Sequence, residues 1–401
     1  MPARLPNVPA HRPPCLSPLR GPLLLGSCLA ALLALVASAP AANPKAGSPG
    51  RASQSAFRPA LAGYSYLFPR DHGSHDEFRT EWWYYTGHLS TKNGRRFGYQ
   101  LTFFRRGVDQ ASVRSNPSRW AIRHLYLAHL ALSDHDQARF RYAEKISRAG
   151  IGKAGAETGH LRVWIDRWSA EALSPDQDHH HLQASAEDFS LDFILTPEKL
   201  PIIHGKGGVS RKGSSLDQAS HYYSLTRMAT TGTVTVAGEA LAVSGASWMD
   251  HEFGSGDLGP DQVGWDWFSI QLENRTELMF YRLRRADGTT DPASSGTLVF
   301  PDGRSQHLLT SDVHIEALDH WTSGQSGARY PSRWHITVPT AGLMLDLIPR
   351  LSNQELMTRR STQVTYWEGA VEVTGKLREA SIAGLGYVEL TGYAERFRQK
   401  L

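Results

Sequence analysis

The chain has 401 residues, of which 40% are hydrophobic and 20% are charged, and this composition excludes a wholly disordered or collagen-like protein. The formal net charge is +4, but three arginines and no acidic residue lie in residues 1–39. The rest of the chain therefore has little basic excess with which to hold a nucleic acid, and we expect no nucleic-acid partner. Cys15 and Cys28 also lie in that stretch, which excludes disulfides and thiolate metal sites from the body of the chain.

Residues 1–39 have the organisation of a secretory signal peptide. A basic segment ends at Arg20, an uncharged apolar run covers residues 22–36, and small residues typical of a cleavage site follow. The run is too short to span a bilayer, and no second one follows. We therefore expect an exported protein, periplasmic or secreted, without a stable membrane span in its mature form. Lipidation at Cys28 and retention of the segment as an anchor are the alternatives. Residues 40–55 predict a flexible lead-in.

From residue 80 onward, hydrophobic and polar residues alternate with the two-residue period of antiparallel strands. The first block of predicted strands covers residues 80–90, 95–106, 122–132, 161–168, 190–195, 222–228, 232–236 and 241–249. The second block covers residues 263–273, 277–284, 296–300, 335–338, 343–348, 364–372 and 387–391. No long amphipathic helix interrupts either block, so the expected fold class is all-β, with two antiparallel barrels or sandwiches in tandem.

The boundary between the two blocks is marked by glycines and Pro260. These residues interrupt the strand pattern at residues 254–260. We therefore expect an N-terminal domain over residues 56–257 and a C-terminal domain over residues 258–401.

The first candidate site is the aromatic segment at residues 81–88. On a strand, Glu81, Trp83 and Tyr85 face one side of the sheet, while Trp82 and His88 face the other. Large π faces on both sides predict an apolar pocket with a carboxylate at its rim. The alternative is a strand buried between a barrel core and a domain interface.

The second candidate site is the acidic cluster that follows Trp248. Asp250 and Glu252 share one face if the strand persists, and His251 points away. Burial raises the pKa of a carboxyl group and lets it protonate a substrate, so these three residues are candidates for acid–base catalysis. The alternative is a polar strand end at a domain junction.

A third segment, at residues 264–268, repeats the combination of aromatic residues with a carboxylate. Trp265 and Trp267 are candidates for ligand binding, and a barrel core strand is the alternative. The histidines at residues 179–181 fall in a polar stretch without partner ligands at a defined spacing, which favours a solvated loop. We therefore expect no metal and no cofactor.

Three motifs resemble those of the AttH-like family, a group of secreted lipocalin-like proteins related to carotenoid 1,2-hydratases. They lie at residues 68–87, 248–252 and 366–369, and the resemblance runs from about residue 64 to residue 393. It implies two lipocalin-like antiparallel β-barrel domains in tandem, and it places Trp367 among the ligand-binding candidates. It also implies an association with ABC-type permeases for some members, and hydration of carotenoid double bonds or pericyclic cyclisation for relatives.

These observations leave three hypotheses for the function. The first is an exported protein that binds an apolar, isoprenoid or lipid-like molecule and is accessory to an ABC-type transporter permease. The alternative is a hydro-lyase of the carotenoid hydratase kind, in which Asp250 protonates an alkene and Trp248, Trp265 or Trp267 stabilises the cation. The third is a secreted hydrolase, for which the sequence offers neither a nucleophile nor a metal constellation. If the chain is an enzyme, we therefore expect a hydro-lyase and not a hydrolase.

Overall fold

The computed structural model describes residues 57–108, 113, 115–118, 120–174 and 178–398. The predicted signal peptide and lead-in, residues 1–39 and 40–55, lie outside the described residues. Three 3₁₀ helices occur within the described ranges, at Arg70–His72, Thr310–Asp312 and Pro339–Ala341. Among the described residues, no helix has the length and apolar composition needed to cross a bilayer.

The strands of the described residues are antiparallel and form two sheets. The first sheet contains β1 (Thr80–Ser90), β2 (Arg96–Gly107), β3 (His124–Asp134), β4 (Arg139–Arg148), β5 (Ala154–Ala156), β6 (Arg162–Ile165), β7 (Trp168–Ala172), β8 (His180–Ser185), β9 (Phe189–Pro197), β10 (Ile202–Ile203), β11 (Ser210–Arg211), β12 (Ala219–Val236) and β13 (Glu239–Gly254). The second contains β14 (Gln262–Leu272), β15 (Glu277–Arg285), β16 (Ser295–Val299), β17 (Ser305–Leu309), β18 (His314–Thr322), β19 (Arg329–Val338), β20 (Leu343–Pro349), β21 (Glu355–Met357), β22 (Thr365–Leu377) and β23 (Ala380–Leu390).

The first sheet is a nearly closed barrel with the strand order β4-β3-β2-β1-β13-β12-β9-β8-β7-β6-β5. The second is a half-barrel with the order β17-β16-β15-β14-β23-β22-β20-β19-β18. The expected all-β fold with two lipocalin-like units in tandem is therefore confirmed, with the difference that the second unit is more open than a barrel. The first sheet ends at Gly254 and the second begins at Gln262, while the division into two domains, residues 56–257 and 258–401, stays a prediction.

Each sheet encloses a hydrophobic core of its own. The core of the first barrel includes Trp83, Tyr85 and Trp168, and the core of the half-barrel includes Trp334 and Trp367. A third cluster joins the two sheets, because it takes Tyr84, Tyr222 and Trp248 from the first sheet and Trp267, Met279, Tyr281, Leu283, Ala370 and Tyr387 from the second. Tyr84, Tyr222, Trp267, Tyr281 and Leu283 of this cluster line the cavity between the sheets.

Several predicted strand boundaries are wrong for identifiable reasons. The predicted strand 161–168 is divided into β6 and β7 by a turn in which Asp166 has a φ of 54°. The predicted strands 222–228 and 232–236 are one strand, β12, which continues through a register shift between Leu225 and Met228. Strands β4, β8 and β18 were not predicted, because charged and histidine side chains on their outer faces hide the alternation.

Candidate functional site

A cavity of about 250 Å³ lies between the first barrel and the half-barrel. Its apolar wall is built from both sheets and contains Trp82, Tyr84, Phe104, Leu127, Tyr222, Leu258, Trp265, Trp267, Tyr281 and Tyr366. Four buried carboxyl groups, those of Asp250, Glu252, Glu368 and Glu389, also line it, together with the exposed carboxyl group of Asp257 and the ammonium group of Lys212. An aromatic enclosure that contains several carboxyl groups is suited to acid chemistry on an apolar molecule.

The pleat of two paired strands delivers these side chains. On β1, Trp82 and Tyr84 face the cavity, while Trp83 and Tyr85 enter the core of the first barrel. On β13, Asp250 and Glu252 face the cavity, and Tyr84 is the cross-strand partner of Asp250. The predicted division of faces on both strands is confirmed.

Asp250 is held by three donors at the first-barrel side of the cavity. Its Oδ2 accepts a hydrogen bond of 2.5 Å from the Tyr222 hydroxyl, and its Oδ1 accepts one of 2.6 Å from Trp248 Nε1 and another from the Ser224 hydroxyl. Burial raises the pKa of Asp250 to about 7, although the three hydrogen bonds act in the opposite direction. The carboxyl group therefore carries a proton in a large share of molecules at neutral pH, and its anion has donors ready to stabilise it.

The half-barrel contributes a pair of carboxyl groups to the opposite side. Glu368 on β22 and Glu389 on β23 are cross-strand partners. Burial raises the pKa of Glu389 to about 7, although the hydrogen bond of 2.8 Å from Trp265 Nε1 lowers it. Burial and the neighbouring Glu389 hold the pKa of Glu368 well above its usual range, and the Tyr84 hydroxyl donates to its Oε1 at 2.5 Å. Glu368 is therefore neutral, and Glu389 can exchange a proton near pH 7.

Glu252 differs from Asp250, Glu368 and Glu389 because it has a cationic partner. Lys212 Nζ lies 3.1 Å from Glu252 Oε1, and the Ser220 hydroxyl donates to the same oxygen. The ammonium group also lies 3.8 Å from the ring centroid of Tyr281. Burial disfavours the charge of Lys212, but Glu252 and Tyr281 outweigh it, so the pKa of the lysine is raised.

Glu81 and His251, two titratable residues of the predicted site, lie inside the first barrel and not at the cavity. Glu81 is fully buried, its Oε2 accepts a hydrogen bond of 2.9 Å from Arg105 Nε, and its Oε1 lies 2.8 Å from His75 Nδ1 and 2.9 Å from His251 Nε2. Burial raises the pKa of Glu81, but Arg105 and the histidines outweigh it and hold the pKa well below its usual range. Burial lowers the pKa of His251 to about 4, so its imidazole is neutral.

The same three side chains could in principle hold a metal ion. The ligand atoms of His75, Glu81 and His251 lie within 4.8 Å of one another, and two histidines with one carboxylate are a known ligand set. Burial lowers the pKa of His75, but Asp71 and Glu81 outweigh it and raise it to about 9. The charges of Arg105 and a protonated His75 therefore already balance those of Glu81 and Asp71, and protons occupy the ligand positions.

The remaining predicted residues are divided between the cavity and the cores. Trp82, Trp265 and Trp267 line the cavity, and Trp248 supports Asp250. Trp83 and Tyr85 belong to the first-barrel core and Trp367 to the half-barrel core. His88 bonds across the interface, with its Nε2 2.9 Å from the Gly386 carbonyl oxygen.

The expectation of a solvated loop at residues 179–181 is wrong. His180 opens β8 and is fully buried, with its Nδ1 3.0 Å from the Tyr85 hydroxyl. His181, on the other face of the strand, pairs with Asp192. The alternation of His180, Leu182 and Ala184 towards the interior was the signal of this strand.

The cavity residues that were absent from the predicted site include Tyr84, Lys212, Tyr222, Glu368 and Glu389. Alternation along β1 was enough to place Tyr84 beside Trp82. Glu368 lies within one of the motifs that carry the family resemblance, so the motif was a signal for it. Lys212 reaches the cavity from a loop and Glu389 depends on strand register, and neither has a local pattern in the sequence.

Comparison with known proteins agrees with this architecture. The model of the AttH-like family matches residues 59–393. A crystal structure of an AttH candidate from Nitrosomonas europaea is similar over 84% of this chain and 99% of that one, with 35% identity and a TM-score of 0.76. No curated protein matched the chain significantly.

Two more distant structures share the fold. Kievitone hydratase from Nectria haematococca is similar over 85% of this chain and 99% of its own, with 15% identity and a TM-score of 0.64. CghA in complex with Sch210972 is similar over 84% of this chain and 96% of its own, with 14% identity and a TM-score of 0.53. At these identities the likeness is one of fold.

Proposed function

The chain belongs to the AttH-like family, and we propose that it is a hydro-lyase that adds water across a carbon–carbon double bond of an apolar molecule bound between its two sheets. The observation that carries this proposal is Asp250, a buried carboxylic acid with a pKa raised to about 7 in an aromatic cavity. A general acid of this kind is most effective when its pKa lies near the working pH. One distant protein of the same fold is named a hydratase.

The reaction begins with transfer of the Asp250 proton to one carbon of the double bond. The π electrons form the new C–H bond, the other carbon becomes a carbocation, and Asp250 is left as a carboxylate. Tyr222, Ser224 and Trp248 donate hydrogen bonds to that carboxylate, and such bonds to an anion are stronger than those to a neutral group. The donors thereby favour the charged product of the step.

The aromatic wall stabilises the cation that results. Trp82, Trp265 and Trp267 line the cavity, and the face of an indole ring attracts a positive charge more strongly in a site that excludes water. A branched isoprenoid double bond is the substrate type that best fits this chemistry, because protonation gives a tertiary cation.

Water then adds to the cation and loses a proton. We assign the acceptance of this proton to Glu389, which faces the cavity from the second sheet and has a pKa near 7. A C–O bond forms, the water proton passes to the carboxylate, and Asp250 regains a proton from solvent as Glu389 releases one. One water molecule is consumed for each double bond, with no net change in protons.

The size of the cavity restricts the substrate. An apolar cavity of about 150 Å³ holds benzene, so a cavity of about 250 Å³ has room for roughly ten carbon atoms. A ten-carbon acyclic isoprenoid fits whole, whereas a long polyene could place only one end between the sheets.

Incubation of the purified protein with geraniol in ¹⁸O-labelled water tests the proposal. We expect a tertiary alcohol that carries the label, and we expect Asp250→Asn to form none, because the amide keeps the size of the side chain but has no acidic proton. The control for an intact cavity is binding of geraniol to this variant, measured by the quenching of tryptophan fluorescence. Equal turnover by both proteins contradicts the proposal.

The second candidate function is binding without chemistry. The aromatic lining favours it, since such a wall binds an apolar molecule whether or not Asp250 reacts. Geraniol binding by the unmodified protein without any product, over a range of acyclic isoprenoid alkenes, would favour the carrier over the enzyme.

From the sequence we also propose export and service to an ABC-type transporter. Recovery of the chain from the periplasm or medium of its host, with a mature N-terminus after residue 39, tests the first. Co-purification with a permease tests the second.

A further inference from the structure

Lys212 is a partly buried cation that lines the cavity, and Glu252 neutralises it. Their ion pair of 3.1 Å joins the loop after β11 to β13. The lysine side chain is 20% exposed and the glutamate side chain 5% exposed. The ammonium group also lies over the ring of Tyr281, at 3.8 Å, so contacts other than Glu252 hold it beside the cavity.

The other cations at the cavity have partners or contact solvent. Arg105 is paired with Glu81 inside the barrel. Arg106 is paired with Asp257 and also donates to the Thr80 hydroxyl. Arg398 is exposed, where water and salt screen its charge. Among the described residues that line the cavity, Lys212 is therefore the cation placed to pair with an anionic ligand. Glu252 already forms an ion pair with it.

We propose that Glu252 makes the cavity selective for neutral ligands, so that the substrate is an uncharged isoprenoid, a hydrocarbon or an alcohol, and not the matching carboxylate or phosphate. This inference rests on the proposed function for the identity of the site. A carboxylate ligand would lose its hydration and would find Lys212 engaged, and it would meet Asp250, Glu252 and Glu389 as like charges or as groups forced to take up protons. A neutral ligand meets none of these penalties.

The inference predicts that one substitution changes the selectivity. In Glu252→Gln the Lys212 charge loses its partner but keeps its place over Tyr281, and the amide has nearly the size of the carboxyl group. An anionic ligand can then pair with Lys212. Charge-assisted hydrogen bonds are worth about 1.5–3 kcal/mol, which corresponds to a gain of roughly tenfold to a hundredfold in affinity.

The probes are geraniol and geranic acid, which share one carbon skeleton, measured by quenching of tryptophan fluorescence at about pH 8, where the acid is ionised. We expect the unmodified protein to bind geraniol at least about tenfold more tightly than geranate. We expect Glu252→Gln to gain at least about tenfold for geranate. The matched control is Glu252→Gln with Lys212→Met, in which the gain disappears because the cation is gone.

A second measurement needs no variant and remains informative if Glu252→Gln does not fold. At about pH 5 a substantial share of geranic acid is neutral, and the unmodified protein should bind it more tightly than at about pH 8, while geraniol affinity changes little. Geranate binding as tight as geraniol binding at the higher pH overturns the inference. A geranate affinity that Glu252→Gln leaves unchanged also overturns it, and so does an absence of geraniol binding.

These outcomes are separate from those of the proposed function. Discrimination between geraniol and geranate without any hydration product removes the hydro-lyase and leaves the selectivity. Hydration of geraniol together with equal binding of geranate removes the selectivity and leaves the hydro-lyase.

Discussion

In the proposed reaction, Asp250 and Glu389 have opposite protonation requirements, and these set the pH dependence. Asp250 must hold a proton, so its contribution falls as the pH rises through about 7. Glu389 must be ionised, so its contribution falls as the pH drops through about 7. We expect a bell-shaped profile of kcat/KM with its maximum near pH 7, measured from initial rates of hydration.

The matched control for this profile is Glu389→Gln, which should remove the acidic limb and keep the alkaline limb, at a lower rate. A rate that keeps rising above about pH 8 would show that the carboxylate form of Asp250 is the active one, against the assignment made here.

Glu81 illustrates the difference between a buried ion pair and a site residue. Glu81→Gln should lower the free energy of unfolding by about 3–5 kcal/mol, because Arg105 and His75 lose the carboxylate that balances them. Urea denaturation measures this loss, and geraniol binding should persist wherever the variant remains folded. Unchanged stability with lost binding would place Glu81 at the cavity instead.

At the scale of elements, β1 presents cavity-lining side chains on one face and core side chains on the other. Trp83 is 1% exposed in the barrel core, so Trp83→Ala should cost about 3–5 kcal/mol of unfolding free energy. Trp82 lines the cavity, so Trp82→Ala should weaken geraniol binding and cost less stability. Urea denaturation and fluorescence titration of the two variants test this, and the reverse ranking would contradict the division of faces.

The strands that position the site follow from local patterns, and their register does not. The alternation on β1 and β13 predicted which residues share a face, such as Asp250 and Glu252, but not which face leaves the barrel interior. It could not predict that Glu368 and Glu389 would become direct partners, because the offset between β22 and β23 is set by the hairpin that joins them. The burial of His180 was missed because histidines read as polar although their strand enters the core.

At the scale of the whole molecule, the two sheets share buried structure and should unfold together. Beyond the aromatic cluster between them, Glu277 of β15 is fully buried and accepts hydrogen bonds from Lys199 and from Arg227 of β12. Breaking such a pair leaves an uncompensated buried charge. We expect one calorimetric transition and slow proteolysis at residues 254–260. Two separate transitions would show that the sheets are independently stable.

The sequence predicted the two-sheet architecture and identified Asp250 as a candidate acid, but it did not predict where the cavity lies. Aromatic segments such as residues 81–88 supply both a core and a cavity, and only the packing of one sheet on the other shows which side chains line the space. The loop after β11 places Lys212 beside Glu252, and no local pattern in the sequence predicts this contact. Long-range contacts of this kind depend on the complete fold.

The most direct test of the central claim is the source of the proton that enters the substrate. The protein is exchanged into D₂O and incubated with geraniol, and the product is analysed by mass spectrometry and NMR. We expect a tertiary alcohol with a single deuterium on the carbon next to the carbinol carbon, and no such product from Asp250→Asn. Formation of the same deuterated alcohol by that variant at the rate of the unmodified protein would contradict the proposed role of Asp250 as the proton donor.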